Sequence, residues 1–182
     1  MEIAWWWKDF AFAWWILFPA YAANMFPTLA RGRWPIDFGR NFSDGRRLFG
    51  DGKTWEGLGF GVLMGTLIGA LEIALAPGLN AYAAQFGLAL PEMNLFVAFM
   101  IALGALTGDL AGSFLKRRMG MERGADAPLL DQLNFIVGAT AFAYLFTSIT
   151  PGMILFMLVV TPVIHRGACI AGYKLGVKKV PW

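Results

Sequence analysis

The chain has 182 residues, of which 58% are hydrophobic and only 15% charged, against roughly a quarter charged in soluble domains. That apolar load, with eight Trp and sixteen Phe, exceeds what one soluble core of this size can hide, so the class is an all-α integral membrane protein forming one compact domain, 1–182. A net charge of +3 calls for no nucleic-acid partner, and a single cysteine, Cys169, excludes an internal disulfide and a cysteine-based metal site.

Five stretches approach the roughly 20 helical residues that span about 30 Å of hydrocarbon. The first, Phe10 to Ala30, has no formal charge. Trp5, Trp6 and Trp7 precede it as interface anchors. The tripeptide "AYA" at 20–22 resembles a cleavage site. The apolar run continues past it to Leu29, however, and Asp9 nearly cancels Lys8, so a retained helix is expected. Asn24 and Pro27 mark a kink near its end.

The segment 31–56 is basic, with Arg31, Arg33, Arg40, Arg46, Arg47 and Lys53. Within it, "RRLFGDGKTWEG" (46–57) sets glycines around Asp51 and follows them with Lys and Thr. This is either a loop whose backbone amides and cation surround phosphate or a solvated connector. A Walker A loop is excluded, because its first glycine would fall on Arg47.

The second stretch, Gly57 to Ala76, carries only Glu72, which is expected to hydrogen-bond a neighbouring helix. Gly57, Gly61, Gly65 and Gly69 recur every four residues, a spacing that lets helix backbones approach closely. The loop 79–94 has no Lys or Arg.

The third stretch, Leu95 to Leu115, has its own ladder at Gly104, Gly108 and Gly112, and one acid, Asp109. Tight packing of helices two and three is the expectation from the two ladders. An acid in such a helix is expensive and points to function. Asp109, Ser113 and Lys116 share a helix face, which continues into Arg117 and Arg118. Asp126 and Asp131 follow, the latter at the start of the fourth helix. Two acids separated by a short loop can meet at one Mg²⁺, which takes one or two carboxylates plus substrate phosphates.

The fourth stretch, Leu133 to Ile149, is short and uncharged. The fifth, Met153 to Tyr173, is interrupted by His165 and Arg166. Arg166 is expected to snorkel and His165 to be a packed hydrogen-bonding residue. The tail adds Lys174, Lys178 and Lys179. Five spans with the N-terminus outside and the C-terminus cytoplasmic place both long basic loops on the cytoplasmic side, as the positive-inside rule requires.

The segments "FGDGKTWEGLGFG" (49–61), "GDLAGSFLKRRMGMERGADAPLLDQLNF" (108–135) and "YKLGVKKVPW" (173–182), with "NMFP" (24–27) and "TPVIHR" (161–166), resemble the archaeal CDP-archaeol synthases. The middle segment also echoes the longer CDP-diacylglycerol synthases. The resemblance implies a five-helix membrane enzyme that moves CMP from CTP onto an isoprenoid ether-lipid phosphate, with Mg²⁺, and releases pyrophosphate. It implies Asp109 and Asp131 as metal ligands and Lys116 and Arg117 as phosphate holders. Gly50, Asp51, Gly52, Lys53, Thr54, Ser113 and Arg118 become nucleotide-site residues, and Asn24, Arg47, Gln132 and His165 candidate substrate contacts. A diacyl lipid phosphate as acceptor and a small-anion transporter are the alternative readings. The expected partners are CTP and a lipid phosphate in the cell membrane, with no protein partner.

Overall fold

The computed structural model describes residues 5–177 and 180. Lys178, Lys179 and the side chain of Trp5 lie outside the described residues. Five α-helices follow one another: α1 Trp5–Met25, α2 Trp55–Ala84, α3 Leu95–Arg118, α4 Leu130–Tyr144 and α5 Pro151–Lys174. Among the described residues there is no regular strand.

Each boundary has a local cause. Thr54, Asn94 and Thr150 sit in extended backbone, and their side-chain oxygens accept from the N–H of Gly57, Val97 and Met153, satisfying donors that a helix start leaves open. The helix α1 begins five residues ahead of the expected Phe10 and stops at Met25, where Pro27 seats the chain in a 3₁₀ turn, Phe26–Leu29. The chain therefore breaks helix near Asn24 and Pro27 rather than kinking through it. The second helix, expected over Gly57 to Ala76, runs from Trp55 to Ala84 with Pro77 inside it; a proline removes one donor and bends a helix without having to end it. In α3 the last turn holds Lys116, Arg117 and Arg118, cations at the negative end of the helix dipole.

The core lies where α1 crosses α3, α4 and α5: Ile16, Leu17 and Ala20 are fully buried with Ile101, Ala105, Phe135, Ala139 and Met153. The first helix thus supplies the centre of the core. The glycine ladders explain the spacing between helices. An added Cβ at Gly65 would meet Ala102 of α3 at 2.7 Å and the Pro19 carbonyl of α1 at 2.8 Å; at Gly69 it would meet the Ala98 Cβ at 2.2 Å. The ladder on α3 turns to α4 instead: a Cβ at Gly108 would fall 2.2 Å from the Asn134 carbonyl oxygen and 3.0 Å from the Gly138 Cα. The tight packing expected of helices two and three thus uses separate seams, α2 against α1 and α3, and α3 against α4.

Three helices, α2, α3 and α5, are long and apolar enough to cross a membrane among the described residues. At 15 residues, α4 extends about 22 Å, short of the hydrocarbon thickness. Its seam with α3 holds it in place. The helix α1 is rich in Trp and Tyr, residues of the membrane interface.

Loops sort by end. Thr150, the cap of α5, donates to Asp9 at 2.8 Å, and the Trp15 indole donates to the Pro91 carbonyl at 2.9 Å. The start of α1, the 85–94 loop and the 145–150 turn therefore share one end of the bundle. The basic 30–54 loop, the Lys116–Arg118 turn that ends α3 and the 119–129 loop share the other.

Candidate active site at the basic end of the bundle

The 30–54 segment is folded rather than a loose connector. Antiparallel bridges pair Pro35 with Thr54 and Asn41 with Arg47. The outer rung is closed by Ile36 N–H to the Lys53 carbonyl at 2.8 Å and Trp55 N–H to the Trp34 carbonyl at 3.0 Å; the inner by Phe42 N–H to the Arg46 carbonyl at 2.7 Å. The tip turns at Asp44-Gly45, where Gly45 has φ +76° and Asp44 accepts from the Arg46 N–H at 3.0 Å. Short polar side chains and glycine suit such a turn for this reason.

This folded loop delivers Lys53 to α3, where its ammonium pairs with Asp109. Both side chains are partly shielded, with 28% and 21% of their surface exposed, so the pair is partly desolvated without being sealed. Beside it, Thr54 and Gly57 on one wall and Leu106 and Leu110 on the other enclose a cavity of about 30 Å³, room for a water-sized group or two and no more. A second pair lies further along the same face of α3: Lys116 and Asp131 are 2.6 Å apart, with side chains 14% and 24% exposed. Asp131 also accepts from the Ala127 N–H at 3.1 Å, which closes the turn into α4. The two carboxylates expected to share one cation are each balanced by a different lysine.

The remaining expected residues divide into committed and available groups. Arg118 is committed. Its guanidinium donates to Asp44 at 2.9 Å and to the carbonyls of Arg47 and Arg46 at 2.6 and 3.2 Å, and it lies 4.9 and 4.8 Å from the ring centroids of Phe42 and Phe114. Arg46 reciprocates, donating to the Arg118 carbonyl at 2.5 Å. Arg47 pairs with Asp37 at 2.6 Å and Asp51 at 2.7 Å. Gly50 directs its N–H at Asp37, Thr54 caps α2, and Gln132 accepts from the Leu129 N–H at 3.3 Å.

Arg117 is available. Among the described residues no carboxylate pairs with it; it donates to the Glu122 carbonyl at 3.3 Å, and its Nε is buried without a partner. Ser113 is buried on the face between the two lysine pairs. Asn24, half-buried, sits on the last turn of α1. His165 lies in α5, its ring 6.1 Å from Phe135 and its Nδ1 3.7 Å from the Cys169 sulfur, consistent with a packed residue. Arg166 pairs with Asp126 at 3.3 Å, so it fastens the 119–129 loop to α5 instead of snorkelling alone. Among the described residues the Oε2 of Glu72 is buried with no hydrogen-bond partner, so the interhelical bond expected of this residue is not made at that oxygen.

Two residues escaped the motif reading. Arg123 brings its guanidinium over Gly52, 3.5 Å from where a Cβ would stand. Asp37 is 4% exposed and accepts from the Arg47 side chain and from the N–H groups of Phe49, Gly50 and Gly39 at 3.0, 2.9 and 3.1 Å. Burial pushes its carboxyl up. The Arg47 guanidinium and the three amides outweigh that and hold it well below the usual carboxylate range. Neither residue belongs to a periodic pattern; a lone acid between Pro35 and Gly39 is indistinguishable from any loop aspartate until the chain folds.

A model of the CarS-like CDP-archaeol synthase family matches residues 9–182. The chain is 48% identical over 170 residues to the CDP-archaeol synthase of Pyrococcus horikoshii, covering 93% of this chain and 95% of the relative. It is 45% identical over 175 residues to that of Methanocaldococcus jannaschii, covering 95% and 97%. A solved structure described as an intramembrane enzyme for archaeal membrane lipid biosynthesis superposes with a TM-score of 0.72 at 43% identity, covering 87% of this chain and 92% of that one. The chain is an enzyme, and it belongs to the CarS-like CDP-archaeol synthase family.

Proposed function

We propose that the protein transfers CMP from CTP to 2,3-bis-O-geranylgeranylglycerol 1-phosphate, giving CDP-archaeol and pyrophosphate, with Mg²⁺ as cofactor. The observation that carries this reading is the pairing of two carboxylates on neighbouring helices, Asp109 and Asp131, with two lysines at the end of the bundle where the basic loops meet.

The donor set fits Mg²⁺. Among the described residues no three His, Cys, Asp or Glu side chains cluster as a protein-only cage, whereas one or two carboxylates completed by water and phosphate oxygens is the usual magnesium arrangement. Bound there, the ion supplies charge neutralisation at the phosphates. Asp109 and Asp131 are the residues that would hold it. Lys53, Lys116 and Arg117 then turn their donors to phosphate oxygens.

The acceptor needs no general base. A phosphate monoester has its second pKa near about 6 and is already largely a dianion at neutral pH. Its difficulty is approach to another polyanion, and fixed cations that need no reorganisation lower that barrier. Arg117, with no carboxylate to give up, is the cation best placed for this task.

We assign five passes with the basic end facing the cytoplasm, in the cell membrane. Among the described residues, Lys8 is the only Lys or Arg at the opposite end, and the positive-inside rule supports this orientation.

The test is pyrophosphate release by purified protein in detergent, with CTP, Mg²⁺ and either the geranylgeranyl ether phosphate or a diacyl phosphate. Release with the ether lipid, abolished by chelation, is expected. Release with the diacyl lipid alone overturns the acceptor, and no release with either from folded protein overturns the activity.

A further inference from the structure

Lys53 meets Asp109 from a folded loop, and hydrogen bonds of that loop converge on Asp37. The carboxylate takes the N–H groups of Phe49 and Gly50, 12 and 13 residues further along. It also takes the Nη2 of Arg47 at 2.6 Å and its Nε at 3.3 Å. Next to it, the N–H of Ile36 holds the Lys53 carbonyl at 2.8 Å, and the Lys53 N–H closes a turn on the Gly50 carbonyl at 3.2 Å. The two flanks of Lys53 are therefore fixed to residues 36 and 37. The side chain of Asp37 is fully enclosed, so it has no surface to offer a substrate.

We propose that Asp37 is a positioning residue for the cytidylyl transfer, acting through Lys53: by gripping Arg47, Phe49 and Gly50 it sets the Lys53 ammonium against Asp109. This rests on the functional reading above. It also settles two residues of the loop. Arg47 serves as a strut between Asp37 and Asp51, and the amides of Phe49 and Gly50 face inward to Asp37, so those two amides are not the ones that meet phosphate.

A displacement of about 1 Å at a reacting centre can cost on the order of 100-fold in rate, so Asp37→Asn is expected to lower kcat/KM for CTP by about 10- to 100-fold. A general loss of structure would lower it too, and a double-mutant cycle separates the two. Kinetics are measured for wild type, Asp37→Asn, Lys53→Ala and the double variant, with thermal unfolding of each. If Asp37 acts through Lys53, its substitution costs little or nothing once Lys53 is gone. Equal losses in both backgrounds, or wild-type kinetics for Asp37→Asn, overturn the inference. Should Asp37→Asn fail to fold, the same cycle is run with Asp37→Glu, which keeps the charge and moves it by one methylene. A CTP dependence unchanged in Lys53→Ala overturns the site reading together with this inference. A clear Lys53 defect with additive Asp37 losses overturns this inference alone.

Discussion

Lys53 and Asp109 stand 56 residues apart in sequence and meet as an ion pair between the folded loop and α3. Lys116 and Asp131 repeat the arrangement between α3 and the start of α4. Two segments of chain, the folded loop and the start of α4, are thereby fastened to one face of α3 by alternating charges. Such a lattice serves a polyanionic substrate because every ammonium has a carboxylate to leave behind, and that carboxylate has a use if a cation arrives with the phosphates.

Removing charge from either acid tests this directly. Asp109→Asn and Asp131→Asn are each expected to reduce kcat by at least about 100-fold, the scale of losing one preorganised electrostatic group. Their far-ultraviolet circular dichroism in detergent should remain that of wild type, since each pair retains some exposure. Pyrophosphate release is the readout, and near-normal turnover from either variant removes that residue from the metal site.

The seam between α3 and α4 gives a prediction about stability. An alanine Cβ at Gly108 would sit 2.2 Å from the Asn134 carbonyl oxygen, and backbone on the partner helix cannot step aside alone. Gly108→Ala is expected to cost about 1–3 kcal/mol by overpacking. At Gly59, on the exposed side of α2, a Cβ meets nothing within 4 Å, and Gly59→Ala should gain a few tenths to about 1 kcal/mol from helix propensity. Thermal unfolding of the two variants in the same detergent compares them, and opposite signs are the expected result.

Much of this was legible in the chain. The glycine ladders foretold close helix contact, since spacing alone places those residues on one face. They could not say which neighbour they meet: Gly108 chose α4 because Gly138 there is equally small. The "KRR" motif located the basic end, yet Arg118 alone cannot reveal that Phe42 and Phe114 would enclose its guanidinium. Asp37 was invisible for a related reason. Gly39 apart, its partners lie 10 to 13 residues away, a separation at which no helical or strand periodicity operates, and only the closed loop brings them together.

Arg118 therefore behaves as a clasp, and its chemistry is specific to arginine. Lysine keeps the charge but loses the planar fork that reaches Asp44 and two carbonyls at once. Arg118→Lys is expected to raise KM for CTP severalfold by loosening the loop on α3. Phe42→Ala removes one ring contact, on the order of 0.5–1 kcal/mol, and should produce a smaller rise. If Arg118→Lys matches wild type, the clasp is dispensable and the loop is held by Asp37 alone.

Acid should open the loop through Asp37. Its folded pKa lies below the unfolded value of about 3.9, because Arg47 and three amides favour the charged form more than burial opposes it. A carboxylate depressed in this way contributes stability that is complete above the unfolded value and is lost as pH falls through the folded one. Between about pH 4 and pH 2 the wild-type loop should become progressively easier for pepsin to cut at Phe42 or Leu48. Asp37→Asn removes the charge and one of the two acceptor oxygens that Arg47 and the amides share at every pH, at a cost of about 1–3 kcal/mol for the unsatisfied groups. That variant should be cut readily at pH 5 already and should lack the Asp37 part of the acid dependence. The difference between wild type and variant is the quantity to follow. Parallel pH profiles for the two proteins would show that Asp37 does not hold the loop.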